Sequence, residues 1–207
     1  MLQLKNIHKT FEDFRIENIN LEVKRGDYYM ILGKSGTGKT IILETIAGLM
    51  EPDKGSILLN NVDITKYRIQ NRGVGLVFQD YAIFPHKTVC QNIVFPLKKK
   101  MSKAGMQSRV SELAQKTGIE QILHRYPSTL SGGEVQRTVL ARTLALKPDI
   151  LLLDEPLASL DVQYKRELQS LLRKLNEEGQ TIVHVTHDYE EALALANRVA
   201  VMNKGRI

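Results

Sequence analysis

The stretch Gly33-Lys34-Ser35-Gly36-Thr37-Gly38-Lys39-Thr40 constrains this chain more than any other. It follows "YYMIL" (Tyr28–Leu32), an unbroken apolar run that reads as a buried strand. After it Ile42, Ile46 and Leu49 recur at helical spacing, until Pro52 to Gly55 breaks the pattern. Strand, glycine loop and helix in that order form the Walker A arrangement. Its glycines let backbone N–H groups close around phosphate oxygens, and the helix start adds its positive end. Lys39 is spaced to reach β- and γ-phosphates, and the Thr40 hydroxyl to bind Mg²⁺.

The rest of the chain alternates strands with helices. Ile19, Leu21 and Val23 alternate with polar residues, as in a half-buried strand; "SILL" and "GVGLVF" read as short strands around a polar turn at Asn60-Asn61. "DILLLDEP", "TIVHVTHD" and "RVAVMN" read as further strands, the first buried on both faces. Leu168, Leu171, Leu172 and Leu175 mark an amphipathic helix ending near Gly179. Between Cys90 and Lys147 charged, helix-favouring stretches dominate. The expected fold is α/β: a mostly parallel central sheet of P-loop type, an N-terminal antiparallel part and an inserted helical subdomain. Residues 1–89 and 148–207 form the core of this reading, and residues 90–147 the helical subdomain.

Composition removes several classes. No apolar run reaches the ~18–20 residues needed to span a bilayer, and "MLQLKNIHKT" lacks the apolar core of a secretory signal. The single cysteine, Cys90, cannot form an internal disulfide and has no activating neighbour. The 29 basic against 23 acidic residues give a net charge of +6, scattered except for the run Lys98–Lys100, so no nucleic-acid partner is expected.

Asp154 and Glu155 end the apolar run that starts at Ile150. A buried strand delivering a carboxylate beside a phosphate loop is the Walker B arrangement: Asp154 would hold Mg²⁺ and Glu155 polarise a water for attack on the γ-phosphate. A second glycine motif, "SGGE" at Ser131-Gly132-Gly133-Glu134, opens another helix and offers N–H groups, a hydroxyl and a helix dipole. One nucleotide does not obviously span both sites. The economical solution is a head-to-tail homodimer, in which this turn of one copy closes over the nucleotide of the other; the plain alternative is a serine-capped helix. His184 and His187, three apart on a strand, point to opposite faces and do not make a metal pair. Arg137 and Arg142 read as helix-surface or ion-pair residues.

The motifs "GKSGTGKT", "VFQD", "LSGGEVQR", "ILLLDEP", "SLD" and "VTHD", in this order along nearly the whole chain, resemble those of the ATP-binding cassette (ABC) ATPases. The resemblance implies an ATPase using ATP and Mg²⁺. It implies that Ser131, Gly132 and Gly133 contact ATP across the dimer, with Glu134 replacing the more usual glutamine. It gives Gln79 the role of sensing Mg²⁺ and water, Asp161 a role across the interface, and His187 a contact to the γ-phosphate. An aromatic side chain stacks on adenine in such proteins, and "HKTFEDF" offers Phe11 first and Phe14 second. From the residues alone Gln79 is also a strand-end polar residue, His187 a turn histidine and Phe11 a core residue.

The segment "DYAIFPHKTVCQNIVFPLKKK" is similar to that of importer ATPases of the molybdate/tungstate, sulfate, polyamine and maltose type. That likeness implies a peripheral subunit at the cytoplasmic face of the membrane, working with separate permease subunits and, indirectly, an extracytoplasmic solute-binding protein. Phe84 and Pro85 are then candidates for the permease groove, or else a loop packed on its own domain. The overall likeness points to an oxyanion such as molybdate or tungstate. Such importers continue into a C-terminal regulatory domain, whereas this sequence stops at "VMNKGRI", in an expected strand-turn-strand. The rival reading is a soluble ABC ATPase acting on DNA or ribosomes.

Overall fold

The computed structural model describes every residue except Tyr81, Lys99 and Ser159. The basic run, the "SLD" stretch and the segment after Gln79 each include one of these three, which lies outside the described residues.

The chain divides into two compact units. The first comprises Met1–Leu76, Asp149–Glu155 and Arg173–Ile207. Strands β1 (Leu2–Thr10), β2 (Arg15–Val23), β4 (Lys54–Leu59) and β5 (Val62–Asp63) form an antiparallel sheet in the order β2-β1-β4-β5. A second sheet orders β6 (Val74–Val77), β7 (Ile150–Asp154), β8 (Thr181–Thr186), β3 (Tyr28–Leu32) and β9 (Arg198–Val201) as β6-β7-β8-β3-β9. The β7/β8, β3/β8 and β3/β9 pairings are parallel.

The strand patterns explain this division. In β2 the buried residues Ile16, Ile19, Leu21 and Val23 leave polar neighbours outward, which suits a one-sided sheet. Every residue of β3, β7 and β8 is buried, as expected of strands covered on both faces. Helix α1 (Lys39–Ala47) packs on β7 and β8, and Ile42 and Ile46 join Ile7, Ile19, Ile31, Leu152 and Val185 in one core. Leu49 does not continue this helix, as its spacing suggested. Gly48 takes φ 84° and its N–H caps the carbonyls of Glu44 and Thr45, leaving Leu49 exposed.

The second unit, Val77–Pro148 with Pro156–Leu172, holds α2 (Val89–Val94), α3 (Lys103–Thr117), α4 (Gly132–Leu144) and most of α5 (Val162–Glu177). It is wider than residues 90–147. The loop before α2 belongs to it because Asn92 takes the Phe84 N–H at 3.0 Å and donates to the Phe84 carbonyl at 3.2 Å. The start of α5 belongs to it because Arg137 of α4 pairs with Glu167 at 2.6 Å. Arg142 is partly buried: its guanidinium lies 5.1 Å from the Phe84 ring centre, and burial lowers its pKa. The Phe84 ring also meets that of Phe95, tilted by 53° with centres 4.5 Å apart.

Candidate nucleotide site

In the first unit the glycine loop leaves β3, and α1 begins at its last residues. Gly38 takes φ 102°, and a Cβ there would meet Ile16, Met202 and Phe14 at about 3 Å, so only glycine fits. Lys39 is buried. Its ammonium donates to the carbonyls of Gly33 (2.7 Å) and Lys34 (3.0 Å) and stands 3.8 Å from Glu155 Oε1. Burial lowers its pKa, and the opposing attraction of Glu155 and Asp154 offsets only part of that.

Thr40 Oγ1 donates to Asp154 Oδ1 at 3.1 Å. Burial raises the Asp154 pKa, and the Thr40 hydrogen bond only partly opposes it. A hydroxyl and a buried carboxylate oxygen side by side form a hard, all-oxygen pair of the kind Mg²⁺ takes at phosphate sites, so the residues present fit that ion.

Glu155 follows β7 with φ 44°, a conformation L side chains rarely adopt, and its N–H is held by the Val185 carbonyl at 3.0 Å. Non-glycine residues held there concentrate at functional sites. Its carboxylate lies between Lys39 and His187, whose Nδ1 is 3.1 Å from Oε2. A carboxylate only accepts, so Nδ1 is the donor in this pair. His187 is largely exposed just beyond β8, while His184 is buried three residues earlier with its Nδ1 3.0 Å from Tyr28 Oη.

Beside the loop lies a cavity of about 780 Å³ bordered by residues 10–15, residues 34–37, Asn203 and Lys204. Phe11 and Phe14 both line it, but Phe14 also packs against the core. Asn203 and Lys204 carry no recognised motif and were not legible as wall residues.

The remaining candidates belong to the second unit. Ser131 caps α4: its Oγ accepts from the Glu134 N–H at 3.3 Å, and the Glu134 carboxylate accepts from the Ser131 N–H at 2.7 Å. Glu134 also pairs with Arg125 at 3.3 Å. Gly132 is exposed and Gly133 buried, where a Cβ would press on the Tyr164 ring at 2.8 Å. Asp161 caps α5 by accepting from the N–H groups of Gln163 and Tyr164. Gln79 is exposed two residues beyond β6.

The family model described as ABC transporter matches residues 16–158. The molybdate/tungstate import ATP-binding protein WtpC of Pyrococcus abyssi is 46% identical over all of this chain and 61% of its own length. The sulfate/thiosulfate import ATP-binding protein CysA of Synechocystis is 47% identical over 99% of this chain and 58% of its own. This chain therefore spans about three fifths of the length of these relatives. Among solved structures, a dimeric ATP-binding cassette in a post-hydrolysis state with ADP and Pi superposes with a TM-score of 0.88 at 33% identity, covering 100% of this chain and 96% of that one. With strand order, glycine loop and family match in agreement, the chain belongs to the ABC transporter family.

Proposed function

We propose that this chain hydrolyses ATP to drive import of a small solute, as a peripheral subunit at the cytoplasmic face of a membrane. The observation that carries the reading is the placement of Glu155 between the Lys39 ammonium and His187, beside the Asp154–Thr40 pair. The glycine loop and Lys39 bind the phosphates, and Phe11 stacks on the base. Glu155 orients a water for attack on the γ-phosphate and takes up its proton, while the Nδ1–H of His187 fixes the carboxylate. Asp154 and Thr40 would hold Mg²⁺, which when bound neutralises charge on the phosphate oxygens.

The reading extends to a head-to-tail homodimer in which Ser131, Gly132, Gly133, Glu134 and Asp161 of one copy close on the nucleotide of the other. Permease subunits would receive the closing motion, and an extracytoplasmic binding protein would supply the solute. No helix of the described residues is long and apolar enough to cross a membrane. A tetrahedral oxyanion is the solute class favoured by relatives named for molybdate/tungstate and sulfate import. The relatives are named as import proteins, which favours this reading over a soluble ATPase acting on DNA or ribosomes. Phosphate release from ATP by the protein, lost in Lys39→Ala, tests the activity. Equal release by both proteins would reject it.

A further inference from the structure

We propose that the turn after β9 supplies a cation, Lys204, to the nucleoside end of the bound nucleotide, at the ribose and α-phosphate oxygens. The inference rests on the nucleotide reading above and adds to it a residue outside the motifs.

The cavity places the contact. Lys39 and Thr40 hold the phosphate end of the glycine loop, whereas the cavity borders the first half of that loop, residues 34–37. The part of a nucleotide that extends into it is the sugar and base. Lys204 lines this cavity together with Phe11. Arg15, another cation of the wall, is engaged with Glu17 at 2.7 Å. Glu12 and Asp13 also border the cavity and would repel an anionic ligand, so the ammoniums of Lys34, on the glycine loop itself, and of Lys204 offset that repulsion.

The backbone fixes where Lys204 stands. Asn203 and Arg206 exchange N–H···O bonds of 2.9 and 3.0 Å, closing a two-residue turn in which Lys204 and Gly205 have φ 45° and 76°. Both positive values are what a type I′ turn requires. Gly205 cannot be exchanged, because a Cβ would lie 2.0 Å from the Arg15 carbonyl oxygen. Its N–H donates to the Thr37 carbonyl, its carbonyl accepts from the Glu17 N–H, and Arg206 pairs with Glu17 at 2.6 Å. The turn is therefore tied to the glycine loop itself.

Turn chemistry does not ask for lysine. The comparable turn at Asn60-Asn61, with φ 51° and 66°, uses asparagine, the side chain that best tolerates this conformation after glycine. A long cation held against that preference, on a turn bonded to the phosphate loop and facing the cavity, is placed for a ligand contact.

The test measures binding of ADP and of a non-hydrolysable ATP analogue to wild type, Lys204→Asn, Lys204→Arg and Lys39→Ala, with the melting temperature of each ligand-free protein. Lys204→Asn should weaken both nucleotides by the same factor, about three- to tenfold. It should also raise the ligand-free melting temperature by about 1–3 °C, because asparagine suits the turn. Lys204→Arg should restore most of the affinity. Unchanged binding in Lys204→Asn, with Lys39→Ala defective, would overturn the contact and leave the nucleotide reading standing. Weaker binding accompanied by a lower melting temperature would make Lys204 a structural residue and also overturn it. Failure of the wild type to bind either nucleotide would remove the nucleotide reading and the inference together.

Discussion

His187 Nδ1 stands 3.1 Å from Glu155 Oε2, joining at the ends of neighbouring strands two side chains separated by 32 positions. If His187 acts by fixing the Glu155 carboxylate, the two are one unit. His187→Ala should lower turnover by about 10²-fold or more and leave nucleotide affinity within about twofold. Adding it to Glu155→Gln should cost little further, since members of one catalytic unit are not additive. Single-turnover rates of the three variants measure this, and full additivity would separate the roles.

Burial raises the Asp154 pKa, so its charged form is a local liability in the folded protein. For a carboxyl raised on folding, the favourable contribution is present at low pH and is lost as pH rises through the folded value. Asp154→Asn should therefore raise the ligand-free melting temperature at pH 7. The gain should shrink as pH falls through the raised pKa toward the ordinary aspartate range. The same variant should lose hydrolysis. Thermal scans from pH 4 to pH 8 follow the first effect, and a gain that grows toward acid would reverse the argument.

Phe11 and Phe14 share the cavity wall but differ in what stands behind them. Phe14 packs on the core beside Gly38, whereas Phe11 closes the loop by a 2.7 Å backbone bond from its N–H to the Phe14 carbonyl. Phe14→Ala should destabilise the fold by about 1–3 kcal/mol. Phe11→Ala should leave the melting temperature nearly unchanged and weaken ATP binding by about fivefold or more. Paired melting and titration experiments on the two variants decide which ring stacks on the base.

Ser131 has a structural duty visible in the fold, the cap of α4, and a proposed one toward a partner's nucleotide. Substitution can divide them. Ser131→Ala removes the cap and should cost about 1 kcal/mol. Ser131→Asp retains a capping oxygen, so stability should persist, while its charge opposes phosphate. Nucleotide-dependent dimerisation should fail in the aspartate variant. Dimers formed at wild-type nucleotide concentration would show that this turn only caps a helix.

The parallel sheet was legible because β3, β7 and β8 are uninterrupted apolar runs with turn signals at their ends. Asp154, Glu155 and His187 were legible for a related reason: each sits at or just beyond the end of one of those strands. Physical context that one-dimensional spacing does not carry explains the misses. Leu49 keeps helical spacing, yet Gly48 ends the helix first. Arg142 reads as a surface or ion-paired charge, and spacing does not show that its guanidinium lies over the Phe84 ring. The Lys204 turn gains its meaning from bonds to Thr37 and Glu17, partners far away in sequence. His184 was legible as a strand residue facing away from His187, but not its hydrogen bond to Tyr28, 156 positions away.

In the proposed function Glu155 drives hydrolysis of a nucleotide shared between two copies. The measurement that tests it most directly is the solution mass of Glu155→Gln with and without Mg·ATP. Glu155→Gln should be a monomer without nucleotide and a stable dimer with it, ATP remaining intact. A monomer under both conditions, or ATP hydrolysed at the wild-type rate, would contradict it.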